Sequence, residues 1–187
     1  MPTDKEPASP LYSLWLMPEG EEQRQFAEII ARLSQRFGTP PFDPHVTLLG
    51  GLHGEERAIV ARIGEIVRTM RPAVIRTSTL HSQEDYFRQL FVQVEKTRPL
   101  METRARVKVL AGGRRERPYS PHVSFMYGNV RYQDREALLT EMGGEIVTEF
   151  ETKTLHVVDT AGTPERWRRV ASFPLAERRI SRKKAAS

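Results

Sequence analysis

The chain writes one short phrase twice. PFDPHVTLLG occupies residues 41–50 and PYSPHVSFMYG residues 118–128. Each reads proline, histidine, valine, a hydroxyl residue and then an apolar run, and His45 and His122 stand 77 residues apart. That spacing is longer than the ~20–50 residues of solenoid units, so it suggests a duplicated half-domain rather than an array.

The flanking patterns carry the duplication further. Leu11–Met17 (LYSLWLM) reads as a buried strand. Glu21–Phe37 reads as a helix, with Phe26, Ile29, Ile30, Leu33 and Phe37 at helical spacing and Gly38 as its stop. A strand His45–Leu49, a helix Glu55–Met70 and a strand Val74–His81 complete the first half. The second half repeats that order: strand Tyr86–Glu95, helix Arg98–Leu110, strand His122–Tyr127, helix Arg135–Met142 and strand Phe150–Asp159, with Trp167–Phe173 as a last strand. The same offset of 77 sets Val92 on Trp15, and Thr79-Leu80-His81 returns as Thr154-Leu155-His156. Alternating strands and helices also permit a doubly wound parallel sheet. The duplication favours an α+β fold, with one sheet in each of two pseudo-symmetric lobes.

The 187 residues, 39% of them hydrophobic, suit a single domain. Residues 1–10 read as a flexible lead, 11–177 as one bilobal domain with lobes dividing near residue 84, and 178–187 as a basic, disordered tail (RRISRKK). No run approaches the roughly 18 apolar residues of a membrane span, and MPTDKEPASP lacks the apolar segment of a secretory signal. Cysteine is absent, which excludes disulfides and thiolate chemistry and fits a reducing, cytoplasmic setting. The formal charge of +5 favours anionic partners such as phosphate esters or nucleic acid.

On a strand, side chains two apart share a face. His45 therefore points with Thr47, and His122 with Ser124, while Val46 and Val123 point into packing. A pseudo-two-fold would set both pairs across one groove. Two imidazoles that titrate near neutral pH can divide the tasks of base and acid in opening a phosphodiester with water. The hydroxyls can donate to the non-bridging oxygens. The scheme needs no metal and no cofactor, and two histidines without a carboxylate or cysteine cluster make a poor metal site. His53, His81 and His156 read as ordinary loop and strand residues.

These residues resemble the two-histidine (2H) phosphoesterase superfamily, marked by paired His-x-Thr/Ser motifs, and within it the plant and yeast cyclic phosphodiesterase family. The carrying phrases are YSLWLMP (12–18), FGTPPFDPHVTLLG (37–50), YFRQLFV (86–92), PYSPHVSFMYG (118–128) and ERWRRVASFPL (165–175). The resemblance implies a bilobal fold of antiparallel sheets with outer helices around a central cleft. It also implies metal-independent hydrolysis of nucleoside 2′,3′-cyclic phosphates to 2′-phosphates, or of ADP-ribose 1″,2″-cyclic phosphate. A monomer is expected. It further implies His45 and His122 as the catalytic pair, Thr47 and Ser124 as phosphate holders, His122 as base and His45 as acid.

The loop Gly112–Tyr119 departs from the family pattern with Arg114, Arg115 and Arg117, which could hold extra phosphates of ADP-ribose or an RNA end. Tyr119, Tyr86 and Tyr127 are candidates to stack a base, Tyr119 first because it lies three residues before His122; Phe87 and Trp167 stand beside them as further aromatics. Trp15 is expected to be buried, and Trp167 to serve packing. Two alternatives stay open: a two-histidine enzyme acting on RNA ends or 2′-5′ linkages, and a non-catalytic RNA-binding module.

Overall fold

Alternating apolar residues place eight strands and four helices in the computed structural model, which describes residues 11–112 and 118–175. The strands are β1 (Tyr12–Leu16), β2 (Val46–Leu52), β3 (Ala73–His81), β4 (Leu90–Val94), β5 (His122–Met126), β6 (Glu149–Thr152), β7 (Thr154–Asp159) and β8 (Arg168–Pro174). The helices are α1 (Gly20–Phe37), α2 (Glu56–Val67), α3 (Arg98–Lys108) and α4 (Tyr132–Glu141).

The strand order is β6-β3-β4-β5-β2-β1-β7-β8, and every neighbouring pair is antiparallel. β2 and β5 meet at one point, Val46 opposite Val123. Those residues are 77 apart, so the two motif strands cross on equivalent positions and a pseudo-two-fold passes between them. Four strands lie on each side, as the duplicated α+β fold requires.

The lobes do not divide near residue 84. β3, from the first repeat, pairs with β4, and β7, from the second, pairs with β1. The closing strands are thus exchanged, because β3 runs through a short connection straight into its antiparallel neighbour. The helices cross over too. α1 packs on β5, with Phe26 edge-on to Phe125 (5.3 Å), while α3 packs on β2 and β3. Val123 and Phe125 are fully buried on the helix-facing side of β5. The alternate residues of β2 and β5 are left to face the cleft.

Three local expectations need correction. Tyr86–Arg88 forms a 3₁₀ turn rather than the start of a strand: the Asp85 carboxylate caps it by accepting the Phe87 N–H (3.0 Å), and the Arg88 N–H closes it on the Asp85 carbonyl (2.9 Å). The run Phe150–Asp159 is two strands, broken at Lys153, that pair with β3 and β1 respectively. Trp15 is matched by Phe91, not by Val92. Trp15 lies opposite Thr47 and His156, and Phe91 opposite Ser124 and His81. The second half holds one more residue between these positions, with 33 from Phe91 to Ser124 (124 − 91) against 32 from Trp15 to Thr47 (47 − 15), which gives the one-residue slip. α1 ends as its sequence predicts: Gly38 takes a left-handed φ of 65° and donates its N–H to the Ser34 carbonyl.

Candidate active site

Both histidines are held in the same way. The Nδ1 of His45 lies 2.7 Å from the carbonyl of Asp43, and that of His122 lies 2.9 Å from the carbonyl of Ser120, each two residues upstream. A carbonyl only accepts, so each Nδ1 carries the proton and each neutral ring keeps its lone pair on Nε2. The proline after Asp43 and after Ser120 biases those residues to extended backbone, which positions the two carbonyls alike.

His45, Thr47, His122 and Ser124 line one cleft of about 780 Å³, together with Trp15, Arg88, Tyr119, Tyr127 and Trp167. The packing around the two imidazoles differs. The indole of Trp15 stacks on His45 with centroids 3.6 Å apart, whereas Phe91 meets His122 edge-on at 5.2 Å. Burial pushes the His45 pKa down to about 4; its bond to Asp43 opposes this and the charge of His122 adds to it. Burial also lowers His122, opposed by the Ser120 carbonyl, with Arg88 pushing it further down and Asp85 pulling it back. Both rings are therefore neutral bases at pH 7. The Ser124 hydroxyl donates to the Phe87 carbonyl at 2.8 Å.

The other candidates separate. Tyr119 lines the cleft, but its hydroxyl donates to the Thr47 carbonyl (3.2 Å) and the Arg104 guanidinium lies over its ring (4.9 Å). It therefore ties the second motif's loop to the first motif's strand. Tyr127 is buried in the wall, stacked on Phe42 at 3.7 Å. Tyr86 does not line the cleft: the 3₁₀ turn brings Phe87 inward in its place. Arg114, Arg115 and Arg117 lie outside the described residues. His53 and His81 are exposed, and His156 is buried outside the cleft with Nδ1 2.8 Å from Ser172 Oγ.

The sequence phrases and this geometry agree with comparison to known proteins. The family model described as cyclic phosphodiesterase-like protein matches residues 11–175. The chain belongs to that family. A cyclic phosphodiesterase of Arabidopsis thaliana is 24% identical over 129 residues, spanning 67% of this chain and 70% of its own. The fold is shared with TT0787 of Thermus thermophilus (TM-score 0.63, 14% identity, 88% of this chain and 97% of that one). It is also shared with E. coli LigT complexed with 3′-AMP (TM-score 0.56, 11% identity, 91% and 99%). The cyclic phosphodiesterase-like chain is thus a phosphoesterase of the two-histidine superfamily.

Cleft residues that sequence reasoning missed include Ser13, Asp85, Arg88 and Arg104, along with the part that Trp15 plays in the cleft wall; Trp167, named among the aromatics, lines the cleft as well. Trp15 is buried as expected, yet it lines the cleft. Its place beside the motif strand could have been read from the repeat. Arg88 was hidden inside YFRQLFV, a run that reads as continuous strand.

Proposed function

We propose that this enzyme opens nucleoside 2′,3′-cyclic phosphates to nucleoside 2′-phosphates, and ADP-ribose 1″,2″-cyclic phosphate by the same chemistry. The observation that carries this is the matched pair of imidazoles in one cleft, each with Nδ1 fixed on the carbonyl two residues back.

His122 acts as the base. Its Nε2 takes a proton from water as the water oxygen forms a bond to phosphorus. His45 acts as the acid and gives a proton from its Nε2 to O3′ as the P–O3′ bond breaks, leaving a 3′-hydroxyl and a 2′-phosphate. The surroundings support this division. Arg88 opposes protonation of His122, keeping its lone pair available. The bound phosphate anion raises the low His45 pKa, so substrate and acid proton arrive together. The Thr47 hydroxyl donates to a non-bridging oxygen, and Ser124 does so by turning from the Phe87 carbonyl. Arg114, Arg115 and Arg117, which precede Pro118 at the cleft, would hold the diphosphate of ADP-ribose.

The test is incubation with 2′,3′-cyclic AMP in EDTA, followed by phosphorus NMR. A 2′-phosphate product supports the proposal. A 3′-phosphate product or no turnover contradicts it.

A further inference from the structure

We propose that Arg88 grips the substrate phosphate on the His122 side of the cleft, a role that rests on the phosphodiesterase function proposed above. Arg88 closes the 3₁₀ turn Tyr86–Arg88 and lines the cleft beside His122 and Ser124. The residue before it, Phe87, offers its carbonyl to the Ser124 hydroxyl at 2.8 Å. The second motif's hydroxyl proton is therefore turned to backbone at the place where Arg88 lines the cleft.

The two halves of the site are asymmetric at matching positions. In the first half, the indole of Trp15 covers His45. In the second, the smaller ring of Phe91 stands edge-on to His122, and the Arg88 guanidinium lies over that ring at 5.9 Å. Among the described residues Arg88 makes no ion pair, although Asp85 caps its turn. The groups whose charge acts on His122 are Arg88 and Asp85, and the charge of His122 acts in turn on His45. Arg104 from α3 and Tyr119 line the same cleft.

A guanidinium fork matches two phosphate oxygens and cannot lose its charge near neutral pH. Set beside the base, it does two things. It holds negative charge that builds on the non-bridging oxygens as water attacks. It also disfavours protonation of His122, which must be neutral to take the water proton.

The experiment uses the full chain with inorganic phosphate as probe. Phosphate affinity is measured by calorimetry, and the His122 titration by NMR, in wild type, Arg88→Gln and Arg88→Lys. The glutamine keeps part of the stem over Phe91 while removing the charge. It should weaken phosphate binding by about tenfold or more, the size of a lost charge-assisted hydrogen bond, and move the His122 titration to higher pH. The lysine should return most of that titration shift. Unchanged phosphate affinity in Arg88→Gln with an unmoved His122 titration would overturn the proposal, as would a lysine variant titrating like the glutamine. Turnover is read separately. A wild type that binds phosphate through Arg88 but leaves 2′,3′-cyclic AMP intact defeats the phosphodiesterase function alone. Turnover with unchanged KM and phosphate affinity in Arg88→Gln defeats the Arg88 role alone.

Discussion

Trp15 and His45 lie face to face, ring centroids 3.6 Å apart and planes within 8° of parallel. The stack joins core to chemistry. The indole is buried, sits on β1 opposite Thr47, and forms the surface that both dries the imidazole and fixes its plane.

Replacing Trp15 tests that link. Trp15→Ala should lose about 3–5 kcal/mol of stability, the usual cost of emptying a buried aromatic site. It should also raise the His45 pKa from about 4 toward its ordinary value, since water reaches the ring. Trp15→Phe should lie between. Urea denaturation and an NMR titration of the histidines read both effects. A His45 titration unmoved by Trp15→Ala would show that the indole does not set its environment.

The buried histidines make stability fall in acid. The folded His45 pKa of about 4 lies below the unfolded value of about 6.5, so between these values the unfolded chain binds more protons. Stability is therefore full above about pH 6.5 and declines as pH falls toward 4, by ~3 kcal/mol for this group at the limit. His122 and His156 are shifted in the same direction and add to the decline. Urea midpoints at pH 4.5 and 7.5 should differ more for wild type than for His45→Gln. An equal drop in both would remove His45 as a source.

Tyr119 ties the loop before the second motif to the strand of the first. Its hydroxyl donates to the Thr47 carbonyl, and burial raises its pKa, so it stays a donor across the working pH range. Tyr119→Phe should cost about 1 kcal/mol of stability. It should also lower kcat by severalfold, because the two motifs lose their shared register. Wild-type kcat in this variant would show that the link is not needed for catalysis.

Much of this arrangement was legible in the repeated phrase. Strand periodicity alone put His45 with Thr47 and His122 with Ser124, and the 77-residue offset returns as the contact of Val46 with Val123. What the repeat could not carry was partnership. It shows which segments are copies, but the exchange of β3 and β7 between lobes depends on long-range pairing that no local pattern encodes. The match of Trp15 with Phe91 was obscured because the second half is one residue longer between its first strand and its motif, so a constant offset of 77 lands on Val92. Arg88 was hidden because its turn depends on hydrogen bonds to Asp85, from the Arg88 N–H to the carbonyl and from the Phe87 N–H to the carboxylate, inside a run of strand-forming residues. Tyr86 fell away from the cleft for the same reason.

The most direct measurement of the two-histidine division is turnover of 2′,3′-cyclic AMP by His45→Ala and His122→Ala beside wild type, with fold checked by circular dichroism. If one imidazole takes the water proton and the other supplies the leaving oxygen, each variant alone should lose about 10²–10⁴-fold in kcat. Either variant keeping near wild-type turnover while folded would contradict the division of labour between His45 and His122.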